Sequence, residues 1–133
     1  GLQKLAQGFD LAIASRALTY SRILKKQPIY RFIGARIFGF LVNILFQIPE
    51  GIIDTQCGFK IFKHHVAKSL FSKLRINSVA FDVELLLLAS KNSFRIAQFP
   101  VAWTNDEDTR FNPIRDSFSL LRDLYLLKFV HKV

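Results

Sequence analysis

The segment from about Ile29 to Phe46 constrains the fold of this chain more than any other. Pro28 suits the first turn of a helix, where its missing N–H would have had no partner. At about 100° per residue, Ile33, Ile37, Phe40, Leu41, Ile44 and Leu45 fall on one broad apolar arc. Arg31, Ala35, Gly39, Asn43 and Arg36 follow in that angular order around the other side. The pattern predicts an amphipathic helix that needs an apolar partner along one face. About eighteen residues nearly span a bilayer. Arg31 and Arg36 inside the window favour an interfacial or core helix over a spanning one. The arginines flank a strip of small residues, where a phosphate or a lipid chain can lie close to the backbone. The alternative, arginines that merely face water, stays open.

Around this helix the pattern alternates. Leu2 and Leu5 predict a helix over 2–7, stopped by Gly8, and Phe9 to Ala14 reads as a buried strand. Ser15 to Gln27 is polar, basic and without periodicity, and is expected to be a mobile loop. After a loop marked by Pro49, Glu50 and Gly51, Ile52 and Ile53 lead into Asp54. Phe59 to Phe62 reads as a short strand and Val66 to Leu74 as a helix. Phe81 to Ser90 carries a near-continuous leucine run, which predicts a helix buried on most sides. Phe94 to Val101 alternates and reads as a strand pair or a kinked strand, before a polar loop over 105–112. Ile114 to about Lys132 closes the chain as an amphipathic helix with Leu120, Leu121, Leu124, Leu127 and Val130. Alternating helices and strands imply an α/β layer structure.

The chain of 133 residues is half hydrophobic, enough for the core of one domain. Its 14 Phe against 3 Tyr and 1 Trp imply a crowded core or an apolar surface that rests on something. The net charge of +9 attracts polyanions: nucleic acid, anionic lipid headgroups or phosphorylated small molecules. Because the aromatics are Phe in apolar runs and the lysines are scattered, a nucleic-acid-binding module is disfavoured and no nucleic-acid partner is expected. Cys57, the single cysteine, is expected to be a small buried residue. His64, His65 and His131 lack ligand spacing, so no metal site is expected. A start at Gly1-Leu2-Gln3-Lys4, inside a helical pattern and without Met, suggests part of a longer chain.

Asp54-Thr55-Gln56-Cys57-Gly58-Phe59-Lys60-Ile61-Phe62 closely resembles a signature of family-2 glycosyltransferases acting on dolichyl or polyprenyl phosphate, above all the glucosyltransferase branch. Other stretches resemble the family in the expected order. Phe9 to Arg16 is similar to its strand ending in Gly-Ser-Arg, with Ala14 for the Gly, and Arg31 matches a family arginine. Phe81-Asp82-Val83-Glu84-Leu85-Leu86 and Phe99-Pro100-Val101-Ala102-Trp103 match two further segments. The resemblance implies residues 1–133 as the C-terminal half of a GT-A domain, a mixed sheet with flanking helices. The nucleotide-binding and metal-binding half would lie outside it, so the isolated chain is expected to be inactive. Mg2+ or Mn2+ would be held there, and Asp106-Glu107-Asp108 falls in the wrong part of the pattern.

The implied reaction transfers a hexose, glucose foremost, from UDP-glucose or GDP-mannose to a polyprenyl or dolichyl phosphate with inversion. It would run on the cytoplasmic face of a membrane, the bacterial inner membrane or the endoplasmic reticulum. The resemblance makes Arg16 and Arg31 ligands of the acceptor phosphate. Arg36 is a further candidate, because Ala35 stands where one branch has Ser. Asp54 is the first choice for a catalytic or sugar-positioning carboxylate, with an Asx-turn as the alternative. Asp82 matches the Asp of the broader family's Glu-Asp pair, with Phe81 in place of the Glu; the alternative is a helix N-cap, with Glu84 favoured by the helix dipole. Gln56 and Lys60 are candidate neighbours of the sugar or diphosphate, and Arg110 of the diphosphate. A non-catalytic membrane-surface relative is the rival reading.

Overall fold

The computed structural model describes residues 1–46, 48–49, 51–78, 80–105 and 113–131. Its centre is a three-stranded sheet in the order β3-β1-β4, built from β1 (Leu11–Ser15), β3 (Lys60–Phe62) and β4 (Ile96–Pro100). β3 runs antiparallel to β1 and β4 parallel to it, with Ile13 opposite both Lys60 and Gln98. The α/β class expected from the alternating pattern is present, and so is the mixed sheet that the resemblance implies. α1 (Leu2–Ala6) precedes β1, and Gly8 lies between them at φ 99°, a left-handed conformation glycine adopts without steric cost.

Every residue of β1 is buried, so it needs cover on both faces. Leu11 and Ile13 pack with Val66 and Leu70 of α3 (His64–Phe71) and with Leu85, Leu86, Leu88 and Ala89 of α4 (Phe81–Lys91). Ala12 and Ala14 face the other way, toward Cys57 and Phe99, with Leu5 of α1 beside them. Cys57 is buried as expected.

α4 is buried from Asp82 to Ala89 because it has neighbours on both sides. The side turned from the sheet carries Val83 and Leu87. These pack with Phe38 and Val42 of α2 (Ile29–Leu45), and with Leu124 and Leu127 of the last helix. That helix is α5 (Pro113–Tyr125), which continues as a π-helical segment, Leu126–His131.

Two expectations need correction. Within the supposed mobile loop 15–27, β2 (Arg22–Lys25) pairs in parallel with β5 (Ala102–Thr104), Ile23 opposite Trp103. All four β2 residues are exposed, so the strand has no buried face whose pattern could be read, and backbone bonds pair it with β5. The segment 94–101 holds one strand, β4, and not a pair: the chain leaves the first sheet at Pro100 and enters the second at Ala102.

α2 also lies differently about its axis. Its core face is Phe38 and Val42, with Leu41 and Leu45 partly buried, roughly a quarter turn from the predicted arc. Ile29, Phe40 and Ile44 are 75%, 65% and 64% exposed, and Ile33 and Ile37 are exposed with them. Among the described residues no helix is long and apolar enough to cross a membrane.

Glu84, fully buried at 0% exposure on α4, has a structural role that the dipole reading missed. Its carboxylate accepts the Arg75 N–H at 3.0 Å and the Ile76 N–H at 2.8 Å, tying the loop after α3 to α4. Glu84→Ala therefore strips acceptors from two amides, at about 1–3 kcal/mol for each N–H left buried and unpaired. Urea unfolding of the intact protein checks this; a variant as stable as the parent would show that the clamp contributes nothing.

Candidate functional site

Asp54 enters the site from a loop gripped by the sheet. Gln98 of β4 accepts the Ile53 N–H at 3.2 Å through Oε1 and donates Nε2 to the Gly51 carbonyl. One side-chain amide thus stands in for a neighbouring strand. Gly51 sits at φ 85°, which permits the turn before Asp54.

The Asp54 carboxylate accepts three hydrogen bonds from Arg16: from the backbone N–H at 3.0 Å, Nε at 2.7 Å and Nη2 at 2.8 Å. It also accepts the Gln56 N–H at 3.3 Å, so the Asx-turn coexists with the ion pair. The two side chains are 27% and 9% exposed. Burial pushes the Asp54 carboxyl pKa up, but the bonds and charge of Arg16 outweigh it and hold the pKa below its ordinary value. The same hydrogen bonding raises the Arg16 pKa. The Trp103 ring lies 5.5 Å from the Arg16 guanidinium carbon.

A second pair lies deeper. Lys60 Nζ donates to Asp82 Oδ1 at 2.6 Å and to the Cys57 carbonyl at 2.6 Å. Both side chains are buried, at 5% and 9% exposure. The N-cap alternative for Asp82 is not realised: Ala80 occupies the cap and Asp82 turns to Lys60 instead. Each candidate acid thus has its own cation. Carboxylates so engaged do not offer the convergent oxygens of a Mg2+ or Mn2+ site. Among the described residues no group of three or more His, Cys, Asp or Glu could hold a metal.

Between α2 and α5 lies a cavity of about 490 Å3. Arg16, Arg31 and Gln56 line it, with the small residues Gly34 and Ala35 and the apolar Ile37, Phe38, Leu41, Leu120 and Leu121. The sequence separates these groups widely, and packing gathers them around one space. Gln56 Nε2 is buried with no hydrogen-bond partner among the described residues. Arg36 is not part of this group. Five residues on from Arg31, it points ~140° away, exposed, with its guanidinium carbon 5.9 Å from the Phe32 ring. Lys60 is likewise absent from the lining, committed to Asp82. Arg110 and the acidic triplet at 106–108 lie outside the described residues.

No family model matches the chain. Curated relatives do. A dolichyl-phosphate beta-glucosyltransferase of Drosophila melanogaster is 36% identical over 117 residues, 88% of this chain and 35% of the relative. Its namesake in Homo sapiens is 32% identical over 127 residues, 96% and 39% of the two chains. The one in Dictyostelium discoideum is 37% identical over 93 residues, 70% and 28%. Over 70–96% of its length the chain is thus similar to part of these dolichyl-phosphate beta-glucosyltransferases. It spans about a third of the length of these relatives.

Sequence reasoning missed Gln98, which holds the Asp54 loop, and Ser21, which holds the Arg16 turn. Ser21 Oγ donates to the Ser15 carbonyl and accepts the Val101 N–H at 3.1 Å. No local pattern marks their joining role, since Ile53 lies 45 positions from Gln98 and Val101 lies 80 from Ser21.

A lowered Asp54 pKa gives a contribution to stability that is complete above the unfolded value of 3.8 and lost as pH falls through the folded value. Asp54→Asn is therefore expected to lower the urea midpoint at pH 7. Its deficit should shrink as pH falls below about 4, where the unfolded carboxyl takes up its proton. It should vanish below the lowered folded pKa, where the native carboxyl is neutral too. A deficit that persists unchanged in acid would mean that the ion pair is not what the substitution removes.

Proposed function

We propose that the protein transfers glucose from UDP-glucose to dolichyl phosphate with inversion at the anomeric carbon, and that this chain supplies the acceptor side. The observation that carries the reading is the α2–α5 cavity. Its cationic lining comes from Arg16 and from Arg31 on the first turn of α2, and its apolar lining continues along α2 to Leu41. From Arg31 to Leu41 the helix rises ~15 Å. An ionised headgroup attached to a hydrocarbon chain suits such a change of character. The relatives' name supports both glucose and the lipid phosphate.

A phosphate acceptor is ionised near neutral pH and attacks without a strong general base. The work left to these residues is to align it and offset its charge. Arg16 and Arg31 supply charge, and the buried Gln56 amide supplies a neutral donor. Gly34 and Ala35 leave room beside the α2 backbone. Mg2+ or Mn2+ would neutralise the nucleotide diphosphate at residues other than Asp54 and Asp82. The GT-A domain of which this chain forms the C-terminal part would bring that site to the cavity.

The protein would work on the cytoplasmic face of a membrane, foremost that of the endoplasmic reticulum. The exposed apolar arc of α2 supports contact with a lipid surface, as does a second exposed row on the last helix, Phe118, Leu121, Tyr125 and Phe129. The charge of +9 favours anionic headgroups.

The intact protein, given radiolabelled UDP-glucose and dolichyl phosphate, is expected to form a lipid-linked sugar. No lipid-linked product with UDP-glucose or GDP-mannose would refute the reading. In the same assay Arg31→Ala should raise the KM for dolichyl phosphate roughly tenfold or more, the loss of one hydrogen bond to a charged group. The KM for UDP-glucose should stay unchanged, and a shift confined to the donor would remove Arg31 from the acceptor site.

A further inference from the structure

We infer that Asp54 and Trp103 are positioning residues that act through Arg16, holding its guanidinium as a fixed anchor for the phosphate of a lipid phosphate in the α2–α5 cavity. The inference rests on the acceptor reading above and assigns Asp54 a different role from that of a reacting carboxylate.

A guanidinium carries five N–H groups in a rigid plane. Asp54 takes two of them, on Nε and Nη2, so three remain by count among the described residues. Trp103 lies against the guanidinium at 5.5 Å. The side chain keeps 27% exposure and forms part of the cavity lining. One edge is therefore anchored and the ring packs beside it, while N–H groups are left over for an anion. A free arginine would lose its rotamer freedom on binding. This one has lost it on folding, which favours capture of a weakly held headgroup.

The fold builds the cradle from distant pieces. Arg16 opens the turn after β1, and Ser21 closes it by bonding the Ser15 carbonyl. The Val101 N–H reaches Ser21 Oγ and the Val101 carbonyl accepts the Arg22 N–H, so this turn and the β4–β5 junction form one knot. Trp103 follows Val101 by two residues and so reaches Arg16. Asp54 comes from a third segment, held by Gln98. Both Asp54 oxygens are occupied by Arg16 and the Gln56 N–H, which leaves Asp54 poorly placed to accept a proton from a substrate.

The test has a binding arm and a kinetic arm on the intact protein. Trp103 is the single tryptophan of this chain, and any fluorescence change that Trp103→Phe abolishes belongs to it. Dolichyl phosphate in detergent micelles, and inorganic phosphate at higher concentration, should change that emission; dolichol without phosphate should not. An equal response to dolichol, or no response to either phosphate, overturns the inference. This arm reads binding even where the transfer assay gives no product, so failure of the proposed function is distinguishable. In the kinetic arm, Asp54→Asn should raise the KM for dolichyl phosphate about tenfold, with kcat largely kept. Trp103→Leu should act in the same direction and Trp103→Phe, which restores an aromatic face, should reverse most of the loss. If Asp54→Asn abolishes kcat and leaves KM unchanged, Asp54 is a reacting group and the inference fails. If Leu and Phe at position 103 give the same KM, the ring does not position Arg16. Arg16→Lys guards against a misfolded Trp103→Leu. It keeps the charge but loses the fork, and an unaltered KM there also overturns the inference.

Discussion

The structure depends on how the buried carboxylates of α4 are satisfied. A helix enclosed by the sheet on one side and by α2 and α5 on the other should be wholly apolar, yet it carries Asp82 and Glu84 in its first turn. Ionised groups so placed are costly unless paired or hydrogen-bonded. Glu84 draws in the backbone at Arg75 and Ile76, and Asp82 draws in Lys60 from β3. A third buried carboxylate, Asp123 of α5, accepts the Ser78 hydroxyl just before α4. Charge satisfaction thus fixes the loop entering α4, the strand beneath it and the helix above it. These are the elements that support the site.

The two ion pairs divide the work by depth. Lys60–Asp82 is almost sealed, which suits a structural brace between β3 and α4. Arg16–Asp54 is half open on the arginine side and borders the cavity. Pairing each acid with a cation lowers the reactivity of both carboxylates. What the site offers an incoming molecule is therefore cationic and amide N–H groups beside apolar walls, which fits recognition of an amphiphilic phosphate better than proton abstraction.

Much of this was legible locally. The leucine run of α4, the apolar strand β1, the Gly8 stop and the small residues lining the cavity follow from periodicity and side-chain size. The motif residues Arg16, Arg31, Asp54 and Gln56 do converge. Arg36 does not, because its angle about α2 turns it away from Arg31. β2 was illegible because its residues are all exposed and its pairing uses only backbone groups. The rotation of α2 was illegible for a related reason. Ile33, Ile37, Phe40 and Ile44 make a more continuous apolar row than Phe38 and Val42, and nothing local says which row meets the core.

By itself the sequence determined most of the element types, the α/β class and the excess positive charge. Each follows from the short-range chemistry of propensity, spacing and side-chain type. Only the tertiary structure decided which carboxylate each cation would neutralise, which face of α2 would be left exposed, and that Trp103 would lie against Arg16. Those outcomes depend on contacts between segments separated by tens of residues. They are chosen by burial, where an unpaired charge or an unfilled space costs more than any local preference supplies.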